Sequence, residues 1–126
     1  LPPKRIKETV STIDIFSTML DFTDTEFPEN ADSVSLLPLI KNNKSPDGRY
    51  VISELYGRPR LNESVQQAIF DDEWKLLLIK PEDPKNRMQS SLFNINADSQ
   101  EKLNLYNVNT TKRRFLEKEL EKIEQN

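Results

Sequence analysis

The chain has 126 residues, which suits one domain with a hydrophobic core, and its 35% hydrophobic and 31% charged residues are compatible with folding. A formal net charge of -3 with scattered Lys and Arg argues against a nucleic-acid partner, and no apolar run is long enough to cross a membrane. Cysteine and histidine are both absent, which excludes disulfides, thiolate nucleophiles, Cys or His metal sites and histidine acid–base catalysis.

The first predicted element is a helix from about Thr12 to Phe22. Ser11 and Asp14 have the spacing of a capping box, in which the hydroxyl accepts from a helix N–H and the carboxylate bonds back. Two adjacent apolar stripes run along this helix. They consist of Ile13, Phe16 and Leu20, and of Ile15, Met19 and Phe22. So wide an apolar face predicts packing against more than one element.

A second, short helix is predicted within the apolar run Val34–Ile40. Ser35 is placed to cap it, and Pro38 falls in its first turn, where the missing N–H costs little. Turn-forming residues then mark Lys41–Gly48 as an exposed connection. We expect a strand to follow at Arg49–Tyr56.

The clearest strand pair is Ala68–Phe70 and Trp74–Ile79, joined by the polar turn 71–73. Both faces of the second strand are largely apolar, which predicts a central strand covered on both sides. Leu92–Ile95 is a candidate fourth strand. The spacing of apolar residues among Lys and Glu predicts an amphipathic helix from about Thr111 to Glu124.

These elements predict an α+β fold with a small antiparallel sheet of about four strands, an N-terminal helix and an amphipathic C-terminal helix. We expect a single domain over residues 1–126. Residues 1–48 form its helical and loop lead-in, and residues 49–126 form the sheet and the last helix.

Two segments in the first half follow recognisable patterns. Val10–Leu20 is similar to V-S-x-I-D-I-x-P-T-L-L, with Ser17 in place of the proline. Asp32–Ile40 is similar to D-G-x-S-L-L-P-L-L, with Ser33 in place of the glycine.

Two more patterns follow in order. Ala68–Leu76 is similar to the strand pair A-I-R-D-G-x-W-K-L. Leu92–Ile95, followed by Asp98, Glu101 and Asn104–Leu105, is similar to L-Y-D-L-x-x-D-P-x-E-x-x-N-L. In this order and spacing, the four segments together resemble the carboxy-terminal portion of the sulfatase family, within the alkaline-phosphatase superfamily.

The resemblance implies that the catalytic groups lie upstream of these segments. In such enzymes a cysteine or serine within C/S-x-P/A-x-R becomes formylglycine, and a divalent cation (Ca or Mg) stabilises the developing charge. The nearest string here is Ser45–Arg49, whose proline is one place too early and whose Asp-Gly is typical of a turn. We therefore expect no catalytic residue, metal or cofactor in this segment and no activity from it alone.

The resemblance also implies the partners of the chain. They are an N-terminal catalytic domain of the same chain and, through that parent, a sulfated small molecule or glycan. An exported or periplasmic bacterial location is the expectation that the family suggests.

Four polar residues at the end of the predicted first strand and in the following loop form the candidate substrate-binding site. They are Glu54, Tyr56, Arg58 and Arg60. The resemblance implies that this subdomain packs beside the catalytic domain, so its loops can rim the substrate cleft, where an arginine could bind a sulfate or sugar acid. The alternative is a solvated loop with surface ion pairs.

Two further features have structural and functional interpretations. Residues 71–73 offer three carboxylates for a cation, but consecutive acids in a tight turn point in different directions, which favours a turn alone. Trp74 could stack on a sugar, although a Trp that opens an apolar strand is more often part of the core.

Two rival functions remain open. One is a non-catalytic interaction module of the same ancestry, and the other is the same subdomain of a phosphodiesterase or phosphonate hydrolase. The upstream reading frame distinguishes these two functions from a sulfatase. A formylglycine motif there supports the sulfatase, its absence supports the interaction module, and a threonine or unmodified nucleophile supports the phosphodiesterase or phosphonate hydrolase.

Overall fold

The computed structural model describes residues 3, 5–28, 31–42, 44, 49–56, 65–81, 85, 87 and 89–125. The elements in these ranges are α1 (Asp14–Phe22), α2 (Leu37–Asn42), β1 (Val51–Leu55), β2 (Val65–Phe70), β3 (Trp74–Lys80), β4 (Gln89–Asn94) and α3 (Thr110–Glu124). The predicted α+β fold is thereby confirmed. The chain divides into two compact units, Leu1–Val51 and Ile52–Asn126. That residues 1–126 form a single domain stays a prediction.

The start of α1 uses half of the predicted capping box. The Asp14 carboxylate accepts a hydrogen bond from the backbone N–H of Ser11 at 2.8 Å. The hydroxyl of Ser11 does not occupy the N-cap position, which belongs to Ile13 and has no side-chain cap. The helix therefore begins at Asp14 rather than near Thr12.

The burial of α1 is the reverse of the prediction. Its two fully buried residues are Asp14 and Ser17, whereas Phe16, Met19 and Phe22 are exposed. The prediction that the wide apolar face packs against several elements is therefore wrong for the described part of the chain. The helix is attached to its own unit by its polar side.

The second helix matches its prediction more closely. Leu37 and Leu39 are buried, and the hydroxyl of Ser35 accepts from the Leu37 N–H at 3.1 Å. Pro38 lies in the first turn, where no helical hydrogen bond requires its nitrogen.

The four strands form one sheet in the order β1-β2-β3-β4. The β2–β3 pair is the predicted antiparallel hairpin, with Ile69 opposite Leu76, and β4 pairs antiparallel with the other edge of β3, with Leu92 opposite Leu76. The hairpin turn is stabilised by Asp71, whose carboxylate accepts from the N–H groups of Glu73 and Trp74 at 3.0 and 2.7 Å.

The core lies between one face of the sheet and α3. Its fully buried aliphatic side chains are Ile69, Leu76, Leu92 and Leu116. Fully burying a side chain of this kind contributes roughly 1.5–3 kcal/mol to the free energy of unfolding. Asn109 caps α3 by accepting from the Lys112 N–H at 3.1 Å, which fixes where the helix begins over the sheet.

The opposite face of β3 differs from the prediction. Leu77 and Ile79 are half-buried, so β3 is not fully covered on both sides. Trp74, predicted to be core, is also half-buried. Alternation alone shows that both faces of a strand are apolar, but it does not show whether the chain supplies a second cover.

The segment after β4 is stabilised by Asn104. Its Oδ1 accepts from the N–H groups of Leu92 and Tyr106 at 3.1 and 2.9 Å, and its Nδ2 donates to the Ser90 carbonyl at 3.2 Å. One amide side chain thus joins the returning segment to the edge strand.

Candidate functional site

Two of the four predicted site residues meet on the surface at the end of β1. The Tyr56 hydroxyl donates to Glu54 Oε2 at 2.9 Å, and both residues are exposed. Arg58 and Arg60 lie outside the described residues. The strand end therefore presents a carboxylate and a phenol as a hydrogen-bonded pair.

A buried amide, which the sequence analysis missed, supports this pair from beneath. Gln67 is only 6% exposed, and its Nε2 donates to Glu54 Oε1 at 2.8 Å and to Glu124 Oε1 at 2.5 Å. Lys80 lies 3.8 Å from the same Glu124 oxygen. The sequence did contain a signal for this role of Gln67. It lies two positions before Ile69 on the same strand, so its polar side chain is on the face that packs inward.

The carbonyl of Gln67 is the unusual atom of this cluster. Its Oε1 is buried and has no hydrogen-bond partner among the residues that the structure describes. A buried polar atom left without a partner costs roughly 1–3 kcal/mol. The two bonds from Nε2 fix the orientation of the amide and so leave the carbonyl in this position.

Glu54 and Tyr56 shift each other's pKa. Hydrogen bonds from Gln67 and Tyr56, together with the charge of Lys80, lower the pKa of Glu54. The hydrogen bond to Glu54 and its negative charge raise the pKa of Tyr56. The lowered pKa keeps Glu54 ionised as a hydrogen-bond acceptor and the raised pKa keeps Tyr56 protonated as a hydroxyl donor, so the pair offers polar groups that can hydrogen-bond to a ligand.

A second polar cluster, also missed from the sequence, lies in the first unit. Arg49 donates to both carboxylate oxygens of Asp14, with Nη1 at 2.6 Å from Oδ2 and Nη2 at 2.7 Å from Oδ1. The backbone N–H groups of Ser11 and Val34 also donate to this carboxylate, at 2.8 and 3.2 Å. With four donors on a fully buried carboxylate, Asp14 holds three segments together and is not available to a ligand.

Burial alone raises the pKa of Asp14, but the hydrogen bonds from Arg49, Ser11 and Val34 and the charge of Arg49 outweigh it, so the pKa is lowered. The carboxylate therefore stays ionised at neutral pH and contributes to the stability of its unit.

One acid of the turn 71–73 forms an ion pair with α3. Asp71 Oδ2 pairs with Lys112 Nζ at 2.5 Å, beside a cavity of about 310 Å³ that Trp74 also lines. Among the described residues, no three His, Cys, Asp or Glu side chains lie together as a metal site. Ser45–Gly48, most of the nearest formylglycine-like string, falls outside those residues. In the same part of the chain, no helix has the length and apolar character to cross a membrane.

Residues 2–126 match the family described as N-sulphoglucosamine sulphohydrolase, C-terminal. The chain belongs to this sulfatase C-terminal family. The resemblance inferred from the four segments is thereby confirmed. Three side chains within those segments, Asp14, Asp71 and Asn104, accept hydrogen bonds from backbone N–H groups, so this sulfatase C-terminal chain uses them to hold its fold.

Known relatives are longer than this sulfatase C-terminal chain. It is 27% identical over 130 residues to Arylsulfatase K of Xenopus laevis, an alignment that covers 97% of this chain and 23% of the relative. Its fold is similar to that of BT4656, solved in complex with its substrate D-glucosamine-2-N,6-O-disulfate, with a TM-score of 0.72, 23% identity and coverage of 94% and 25%. It is also similar to BT1596, a 2-O GAG sulfatase, with a TM-score of 0.75, 18% identity and coverage of 98% and 27%. The chain thus spans about a quarter of each relative's length.

Proposed function

We propose that this chain is the carboxy-terminal part of a longer sulfuric ester hydrolase. The match to a sulfatase C-terminal family over residues 2–126 is the observation that carries the proposal. The greater length of the relatives supports a separate N-terminal catalytic domain. We assign the formylglycine and the divalent cation (Ca or Mg) to that domain, because the described residues of this chain do not fit a cation site.

The role of this chain within the enzyme is to complete the fold and to line the rim of the substrate cleft. Glu54 and Tyr56 support this role because they are exposed and held in a fixed pair by Gln67. A carboxylate and a phenol of this kind can hydrogen-bond to sugar hydroxyls. Arg58 and Arg60, four residues or fewer from Tyr56 in sequence, would add permanent positive charge for an anionic group.

A sulfated glycan or a smaller sulfated sugar is the proposed substrate class. The family description names N-sulphoglucosamine, and BT4656 was solved with a glucosamine disulfate. Such substrates combine hydroxyls, which the Glu54–Tyr56 pair can bind, with sulfate groups away from the scissile ester, which a guanidinium can bind in a bidentate manner.

The test is sulfate release by the full-length polypeptide that contains this chain. We expect hydrolysis of sulfated sugars, lost when the upstream formylglycine precursor is replaced, and no turnover by residues 1–126 alone. Turnover by the isolated chain that disappears on substituting one of its own residues would contradict the proposal. A full-length protein that prefers phosphodiesters would contradict the assigned ester.

A further inference from the structure

The exposed apolar residues of α1 lie on one side of the helix. At 100° per residue, an arc of about 120° contains four of them. We call these the α1 apolar face: Ile15, Phe16, Met19 and Phe22, which are 61%, 57%, 63% and 74% exposed. A helix normally turns such a face towards a hydrophobic core.

The opposite side of α1 is polar and holds the helix in this orientation. An arc of about 100° contains Asp14, Ser17, Thr18 and Asp21. The Thr18 hydroxyl oxygen accepts from the Leu36 N–H at 2.9 Å, and the Asp21 carboxylate accepts from the hydroxyl of Ser35. Rotating the helix to bury the apolar face would break these bonds and expose the ion pair of Asp14. The exposure therefore follows from how the first unit is built.

The apolar surface extends beyond the helix. Val10, Ile13 and Phe27, which flank α1 in sequence, are 45%, 50% and 42% exposed. Several large apolar side chains exposed along one element mark an interaction surface, because a soluble protein seldom leaves them in water.

We propose that the α1 apolar face is covered by the preceding part of the same polypeptide, the N-terminal catalytic domain, through an uncharged, apolar surface. This inference rests on the proposed function. The chain corresponds to about a quarter of each relative, and the matched family is the C-terminal one, which supports a preceding domain in the same polypeptide. α1 is the first of the described helices and strands, so in sequence it is the element nearest to that preceding domain.

The absence of cysteine from this chain permits a direct test. Phe22 and Val108 are 74% and 75% exposed, and Met19 and Leu103 are 63% and 62% exposed, so these two residues of the face each have a matched control. Each is replaced by Cys, one at a time, in the full-length polypeptide, and alkylation by iodoacetamide is followed by peptide mass spectrometry. We expect Phe22→Cys and Met19→Cys to react at least about tenfold more slowly than Val108→Cys and Leu103→Cys.

Equal alkylation rates within both pairs would overturn the inference. A second outcome would also overturn it. If dilution removes the protection and the mass from light scattering falls from two copies to one, a second copy of the polypeptide covers the face. Hydroxyl-radical footprinting of the unsubstituted polypeptide gives the same comparison if a variant fails to fold. Weak oxidation of Met19 and Phe22, relative to the denatured protein and to Leu103 and Val108, supports the inference, and equal oxidation overturns it.

Sulfate release by the unsubstituted polypeptide separates this inference from the proposed function. If the polypeptide releases sulfate but its α1 apolar face is alkylated as fast as the controls, the proposed function stands and the proposed docking surface is wrong. If the face is protected but the polypeptide hydrolyses no sulfate ester, the docking surface stands and the proposed function is wrong.

Discussion

The hydroxyls of Ser17 and Ser33 hydrogen-bond to each other within the first unit. Ser17, in α1, has no exposed surface, and Ser33, in the segment before α2, is 7% exposed. These are the two positions at which the chain has serine where the sulfatase-like patterns have proline and glycine. A buried hydroxyl needs a partner, and each serine supplies the partner of the other. The two departures therefore form one structural feature.

Replacing either serine should be more costly than its small size suggests. We expect Ser17→Ala and Ser33→Ala each to lower the free energy of unfolding by about 1–3 kcal/mol, because each leaves a buried hydroxyl unpaired. The double variant should cost less than the sum of the singles by about 1 kcal/mol. Urea denaturation of the four proteins measures this coupling, with the exposed Thr12→Ala as control. Strictly additive costs would show that the two hydroxyls act independently.

The Asp14–Arg49 pair should make stability depend on acid pH. The folded pKa of Asp14 lies below its ordinary value of 3.8. Its contribution to stability is therefore fully present above about pH 4 and is lost as the pH falls through the folded pKa. We expect Asp14→Asn to cost about 3 kcal/mol at pH 7, because it leaves the partly buried guanidinium without its anion.

Denaturation at several pH values tests this dependence. The difference in free energy of unfolding between the original chain and Asp14→Asn should shrink as the pH falls from about 4 through the folded pKa of Asp14, because the unfolded chain then binds a proton that the folded carboxylate does not. The loss is complete only below the folded pKa, where Asp14 is neutral in both states. The exposed Asp24→Asn serves as control and should show no comparable loss at pH 7. A difference that stays constant down to pH 2 would rule out the ionised carboxylate as its source.

The C-terminal end of α1 offers a stabilising substitution. Asp24 has φ 53°, in the left-handed region, and the Thr25 N–H bonds to the Leu20 carbonyl at 2.9 Å, as in a Schellman motif. Glycine adopts this backbone without a steric cost. We expect Asp24→Gly to raise the free energy of unfolding by about 0.5 kcal/mol and Asp24→Val to lower it. Thermal denaturation measures the stability of both variants. An Asp24→Val variant as stable as Asp24→Gly, or more stable, would contradict this explanation.

The sequence predicted the sheet well because its information is local. The apolar run Trp74–Ile79 and the polar turn before it were sufficient to place the hairpin. The polar clusters were missed because their members are distant in sequence. Asp14 and Arg49 are 35 residues apart, and Gln67 and Glu124 are 57 apart, so no spacing rule connects them.

The burial of α1 was mispredicted for a different reason. Periodicity correctly identified an apolar stripe that includes Met19 and Phe22, but it cannot show whether the partner of that stripe belongs to the same segment of chain. The buried side of the helix was predictable only from its individual polar residues. Asp14 was recognised as a cap, yet its role as the centre of a buried ion pair requires the fold.

The candidate cleft residues lead to a kinetic prediction in the full-length parent. If the guanidinium of Arg58 or Arg60 binds an anionic group of the substrate away from the scissile ester, its loss removes a remote binding contact. We expect Arg58→Ala or Arg60→Ala to lower kcat/KM for a sulfated glycan by roughly tenfold or more, about 1.4 kcal/mol. Hydrolysis of a minimal aryl sulfate should remain nearly unchanged.

The comparison between the two substrates decides what a loss means. A small aryl sulfate lacks the remote anionic group, so it reports only on the catalytic geometry and the fold. Arg114→Ala, which removes an exposed arginine of α3, controls for the loss of positive charge alone. Equal losses on both substrates would indicate damage to the fold, and no loss on either would make Arg58 and Arg60 solvated loop residues. A loss confined to the glycan, together with a smaller loss for Tyr56→Phe, is the result expected of a cleft rim built from this strand end.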